Sequence, residues 1–178
     1  VNEYQETSIP GIYAPGDVNG TKMLAHAAFR MGEVAAENAI KGNHHKAKLD
    51  FTPAVVYTHP EIAMVGLTED QAIEKYGKEN ILIGRNSFTG NGRAIASNEA
   101  HGFVKVIADK KYHEILGVHI IGPVAAEMIN EAATIMESEL TVDDVAASIH
   151  GHPTFSEVMY EAFLDVLGVA IHNPPKRK

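Results

Sequence analysis

The sequence predicts a mixed α+β fold. Three observations carry it. Short β-branched runs such as Val55-Val56-Tyr57-Thr58 and Phe103–Ala108 have the length and composition of strands. Two of these runs flank the turn-rich Asp109-Lys110-Lys111-Tyr112-His113, the pattern of a hairpin. Between and after them stand amphipathic stretches with helix start and stop signals.

Residues 1–20 carry turn chemistry: Ile9-Pro10-Gly11, a strand-like Ile12-Tyr13-Ala14, then Pro15-Gly16-Asp17 and Asn19-Gly20. A helix follows, with Met23, Leu24, Ala27, Ala28, Met31, Val34 and Ala35 on one face. Gly42 is its stop signal, and Gly42–Lys46 reads as a polar, solvated linker. A domain boundary is placed at this linker, giving domains 1–48 and 49–178. Ile62–Gly66 is a second strand. Thr68-Glu69-Asp70-Gln71 has the capping-box pattern and opens a short helix ending at Gly77. Ile81–Ile83 and Ile115–Ile121 complete the strand candidates. Pro123 suits the first position of the next helix, whose apolar stripe is Met128, Ile129, Ala132, Ile135 and Met136. Thr141 opens a shorter helix, and a last helix follows residue 155.

Composition narrows the function. Of 178 residues, 45% are hydrophobic and 21% charged, a globular balance. The net charge of −8 argues against a nonspecific nucleic-acid binder, which needs a basic footprint. No apolar run approaches the roughly 18–20 residues that span a bilayer. With the polar opening VNEYQETSIPG, this leads us to expect a soluble, cytoplasmic protein without a signal peptide. Cysteine is absent, so the chain holds no disulfide and no thiol nucleophile. The chain opens on Val1, as a piece of a longer protein would.

The densest chemistry is His150-Gly151-His152-Pro153-Thr154-Phe155-Ser156-Glu157. It supports three readings. As a helix start, Thr154 caps the helix and Glu157 reaches back to the Thr154 N–H. As an acid/base pair, His152 titrates near neutral pH, and the Glu157 carboxylate, five residues on, orients its ring. The two roles compete for one carboxylate, although a carboxylate has two oxygens. As a metal site, His150-x-His152 with His44-His45 lacks a third ligand at an established spacing, so no metal is expected.

The motif also resembles the C-terminal H-x-H-P-T-x-S-E signature of the pyridine nucleotide–disulfide oxidoreductases, in its lipoamide branch. Further blocks match in order: Thr7–Val18, which resembles the second FAD motif; Met23-Leu24-Ala25-His26; Tyr57–Gly66; Asn91-Gly92-Arg93-Ala94; and Gly117–Pro123 with Glu127-Met128-Ile129. The resemblance implies a mostly antiparallel sheet flanked by helices in 49–178, the domain that builds the family's homodimer. It implies that 1–48 is the end of an FAD-binding domain. Gly16 and Asp17 match the motif whose aspartate binds a ribityl hydroxyl of FAD. Met23, Leu24, Ala25 and His26 match the helix start that faces the flavin pyrimidine. His152 matches the base that moves the substrate thiol proton, and Glu157 the residue that orients it, reaching into the partner subunit's active site. The implied activity is NAD-dependent reoxidation of dihydrolipoamide on a lipoyl-bearing protein, with FAD and NAD as cofactors.

Two departures from the pattern are mild: Pro15 and Phe155 stand where aliphatic residues are common. Larger is the lack of G-x-G-x-x-G and of a cysteine pair. These residues alone are therefore expected to be inactive and to hold no FAD tightly. Two competing readings stay open: a stand-alone dimerisation module without catalysis, and a relative acting on another substrate such as glutathione disulfide.

Overall fold

The computed structural model describes residues 1–173, which divide into two compact units, Val1–Thr52 and the part from Pro53 onward. The division falls four residues beyond the boundary expected at 48/49. Residues 174–178 of the expected interface domain lie outside the described residues.

In the first unit, α1 (Ala25–Lys41) buries Ala27, Met31, Val34, Ala35 and Asn38. Met23 and Leu24, expected on its apolar face, precede it, and Leu24 is the N-cap. Ile12–Ala14 forms no strand: Tyr13 makes a single bridge with Glu6. Gly42 ends α1 as expected, its N–H donating to Asn38 O at 2.8 Å. The residues beyond it are no free linker. Buried Asn38 accepts the N–H groups of His44 and His45 and donates to His45 O at 2.7 Å. His45 Nδ1 also meets Glu37 at 2.7 Å. That imidazole, with Lys41, holds the Glu37 carboxyl well below the usual range, at about 2.

The second unit is an open five-stranded antiparallel sheet in the order β1-β2-β5-β4-β3. Its strands are β1 (Ala54–Val56), β2 (Glu61–Gly66), β3 (Ile81–Ser87), β4 (Phe103–Asp109) and β5 (Ile115–Gly122). The β4–β5 hairpin turns at Asp109, whose carboxylate accepts the N–H groups of Lys111, Tyr112 and Glu114. Burial alternates in the second half of β2, whereas β4 and β5 each carry four consecutive buried residues, 106–109 and 115–118, as strands covered on both faces do. Ala63, Val65, Val104, Val106, Val118 and Ile120 are buried, and α4 (Ala125–Glu137) and α6 (Ser156–Val166) pack on the sheet. α2 (Glu69–Tyr76) joins a cluster of Ala72, Ile81, Ile107 and Leu116. Its capping box is present in both halves: Thr68 Oγ1 accepts the Gln71 N–H, and Gln71 Oε1 accepts the Thr68 N–H.

Pro123 does not open α4. Val124 stands between them as N-cap, in the left-handed region at φ 49°. α5 (Val142–Ala146) starts from Thr141 with its own capping box. α3 (Gly92–Ala96) is capped by Asn91, whose Nδ2 also donates to Thr154 O at 3.0 Å and ties this loop to the segment before α6. β3 is an edge strand, and α6 covers it closely. Gly84 has no side chain to hold the helix off, and Asp165 of α6 accepts the Arg85 N–H at 2.9 Å. This clamp sets the position of α6, and hence of Glu157 in its first turn.

Candidate functional site

The segment 150–157 turns His152 back over the start of α6. His152 Nδ1 lies 2.8 Å from Glu157 Oε1, while the imidazole is 77% exposed and the carboxylate 23%. The other Glu157 oxygen, Oε2, accepts the Thr154 N–H at 2.7 Å. Glu157 therefore makes both contacts for which the two readings compete, one oxygen to each. Burial pushes its carboxyl up, but the Thr154 N–H, the His152 contact and the nearby His172 together hold it below the ordinary range. Thr154 does not cap α6: its hydroxyl donates to Gly151 O at 2.7 Å, and Phe155 is the N-cap without a side-chain bond. Only the Glu157 half of the expected capping box forms.

His150 goes elsewhere. Its Nε2 meets Glu131 Oε1 at 2.9 Å, and its ring stacks on Tyr160 with centroids 4.5 Å apart. Two histidines two residues apart thus serve two different carboxylates. One is a packed structural pair, the other an exposed ring on a part-buried carboxylate.

A second histidine–carboxylate pair borders the same hollow. Glu161, one turn after Glu157 on α6, is buried. It accepts the N–H groups of Ile171 and His172 and meets His172 Nδ1, each at 2.9 Å. His152, Glu157, Glu161 and His172 line a hollow of about 130 Å³ with Asn86 and Asn91. Sequence reasoning missed Glu161 and His172. The i, i+4 spacing of Glu157 and Glu161 was the available signal that both carboxylates share one helix face.

The other predicted residues belong to the first unit. Gly16 and Asp17 form a tight turn in which Gly16 N–H approaches Met31 Sδ at 3.2 Å and Asp17 O accepts the Gly20 N–H. The Asp17 carboxylate is exposed. Asn19 braces the turn by donating to Ala14 O and to Gln5. Met23, Ala25 and His26 are exposed and Leu24 half-buried at the start of α1, where no side-chain cap hydrogen bond forms and no acidic residue occupies the first turn. An exposed aspartate and a helix start with outward N–H donors fit a ligand that presents hydroxyls and a polar, electron-rich ring edge.

The profile of the pyridine nucleotide-disulphide oxidoreductase dimerisation domain matches residues 52–163. The chain is 44% identical over 172 residues to a dihydrolipoyl dehydrogenase of Bacillus subtilis, covering 97% of this chain and 37% of that protein. It is 46% identical over 173 residues to one of Thermus scotoductus, covering 97% and 36%. The crystal structure of LpdA from Mycobacterium tuberculosis superposes with a TM-score of 0.84 at 29% identity, over 93% of this chain and 36% of that one. The chain thus spans little more than a third of the relatives it matches. The mostly antiparallel sheet flanked by helices, the ordered sequence blocks and these matches place the chain in the pyridine nucleotide-disulphide oxidoreductase family, with the dimerisation domain in residues 52–163.

Proposed function

We propose that the chain is the C-terminal part of a dihydrolipoyl dehydrogenase: residues 1–48 end its FAD domain, and 49–178 form its dimer-building domain. The observation that carries this reading is the 2.8 Å contact between His152 Nδ1 and Glu157 Oε1. With the carboxylate accepting at Nδ1, that nitrogen carries the hydrogen, and Nε2 is left to take a proton. A thiol with a pKa of about 8.5 is mostly protonated at pH 7. His152 Nε2 accepts the proton of one dihydrolipoamide thiol, and Glu157 stabilises the imidazolium so formed. The thiolate then attacks a disulfide sulfur of the enzyme. One S–S bond breaks, a mixed disulfide forms, and the second sulfur departs as thiolate. The disulfide belongs to sequence outside this cysteine-free chain.

Bound FAD would carry the two electrons from the dithiol onward to NAD. Gly16 and Asp17 would hold its ribityl chain. The start of α1, from Met23 to His26, would set N–H donors and the positive dipole end against the flavin ring edge. The proton acceptor would serve the partner subunit's site, so a homodimer is the working form. The names of the bacterial relatives and the family's dimerisation-domain match support these points. Among the described residues no helix is long and apolar enough to cross a membrane. The relatives in Bacillus and Thermus support a cytoplasmic setting.

The test is His152→Gln in the full-length enzyme. Reduction of the flavin by dihydrolipoamide, followed by stopped flow, is expected to slow by roughly 10²–10⁴-fold while bound flavin stays stoichiometric. Unchanged reduction would remove His152 as the base. Sedimentation of the same protein is expected to give twice the chain mass; a monomer at all concentrations would defeat the dimer reading.

A further inference from the structure

β2 and β4 run in the same direction on either side of β5, and both begin beside its last residues. Glu61 pairs with Gly122, and Phe103 with Ile121. The segments preceding the two strands therefore meet over one end of the sheet. His59 stands two residues before Glu61, and His101 two residues before Phe103. Glu99 lies beside them. One ring nitrogen from each histidine and one carboxylate oxygen of Glu99 all fall within 4.8 Å of one another. The imidazoles meet edge to face, with centroids 5.7 Å apart.

Two details separate this cluster from a chance surface grouping. Glu99 Oε2 is buried yet has no hydrogen-bond partner among the described residues. A buried carboxylate oxygen without a partner is costly, so something should complete it. His101 Nε2 stands 3.4 Å from it. That is long for a charge-assisted hydrogen bond, which runs to about 2.7–2.9 Å. It matches the edge of a tetrahedron built on metal bonds of about 2.0–2.1 Å, where neighbouring ligands stand roughly 3.3 Å apart.

The loops that carry these groups are held from within. His101 N–H donates to Glu99 O, and Glu99 N–H to Ala94 O, each at 2.9 Å. Gly102 follows at φ 93°, so close to β5 that an added Cβ would stand 1.9 Å from Ile121 O. On the other side, Thr58 Oγ1 bridges the turn to Pro60 O at 2.7 Å.

We propose that His59, Glu99 and His101 form a binding site for a divalent transition-metal ion of the zinc class. Two imidazoles and one carboxylate are a ligand set that suits zinc and its borderline-soft neighbours, whereas calcium and magnesium prefer oxygen throughout. The exposed His59 side leaves the remaining coordination positions to water. This proposal does not depend on His152 or on the reaction assigned to it.

The test is calorimetric titration of Zn²⁺ into the metal-free natural protein and into His59→Ala, Glu99→Gln and His101→Ala. The wild type is expected to take up one equivalent whose affinity falls by about tenfold or more in every variant, since even indirect ligand supports are worth that much. Equal affinity and stoichiometry in all four proteins would overturn the proposal. Zinc-edge X-ray absorption of the wild type at one equivalent gives an independent reading that needs no variant to fold. Imidazole scattering from two histidines with light-atom ligands is expected, and a spectrum without imidazole overturns the site.

Discussion

Glu157 Oε1 stands 2.8 Å from His152 Nδ1, and Glu157 Oε2 stands 2.7 Å from the Thr154 N–H. One carboxylate thus orients the proposed base and closes the turn that delivers it. Two substitutions separate the jobs. Glu157→Gln keeps an acceptor for the Thr154 N–H but loses the charge behind the imidazolium. Glu157→Ala loses both. Both variants are expected to lower turnover, though less than His152→Gln does. Ala should in addition be less stable than Gln, by about 1 kcal/mol. Urea unfolding measures that difference. If Ala and Gln unfold together, the turn-closing role fails; if Gln turns over like the wild type, the orienting charge does.

Thr154 tests the same turn from its other side. Its hydroxyl donates to Gly151 O and caps no helix N–H. Thr154→Val keeps the shape and removes that single hydrogen bond. The expected loss is about 1 kcal/mol or less, with the Glu157 contact to the Thr154 backbone intact. Thermal unfolding and turnover check it together. A turnover loss as deep as that of Glu157→Ala would mean the hydroxyl does more than brace the loop.

Acid should weaken this corner in a definite direction. The Glu157 carboxyl, though raised by burial, is held on balance below its usual range by the Thr154 N–H, His152 and His172. The folded protein therefore releases that proton more readily than the unfolded chain. The resulting stability is fully present above the unfolded value of about 4.3 and is lost as pH falls through the lower folded value. Wild type should exceed Glu157→Gln in urea midpoint at neutral pH. The gap should close as pH drops from about 5 toward 2. A gap that stays constant over that window would show that the carboxylate is not held low.

Much of this was legible in the sequence where local chemistry decides the outcome. Thr68 with Gln71 announces α2, and the glycines at 42 and 77 end their helices, because caps depend on residues three or four apart. Five residues also bring His152 to Glu157. What sequence could not show depends on neighbours distant along the chain. Ile12–Ala14 has strand composition but finds only the short Glu6 segment to pair with, so one bridge forms. β3 runs on through Arg85 and Asn86 to Ser87 because β4 offers partners all the way to Phe103. Glu161 is buried because residues 171–172 fold back onto it. His59 and His101 are 42 positions apart, and only the strand order β2-β5-β4 brings them together.

The position of α6 rests on a glycine, and that can be tested directly. α6 crosses β3 at Gly84, where an added Cβ would stand 2.0 Å from Ala162 O and 2.6 Å from Val166 N. Both are backbone atoms of a helix and cannot swing aside. Gly84→Ala must therefore lift α6 away from the edge strand, stretching the Asp165 bond to the Arg85 N–H as well. Overpacking of this kind costs roughly 3 kcal/mol. The displacement also moves Glu157, eight residues before Asp165 on the same helix, so turnover should fall although Gly84 touches neither Glu157 nor His152. Gly32→Ala is the matched control. Gly32 lies within α1 with nothing near its missing Cβ, and alanine there should stabilise by about 1 kcal/mol. Thermal midpoints moving in opposite directions, with turnover lost only in Gly84→Ala, are the expected pair of results. A Gly84→Ala protein as stable as the wild type would show that α6 does not rest on this strand as closely as its backbone contacts require.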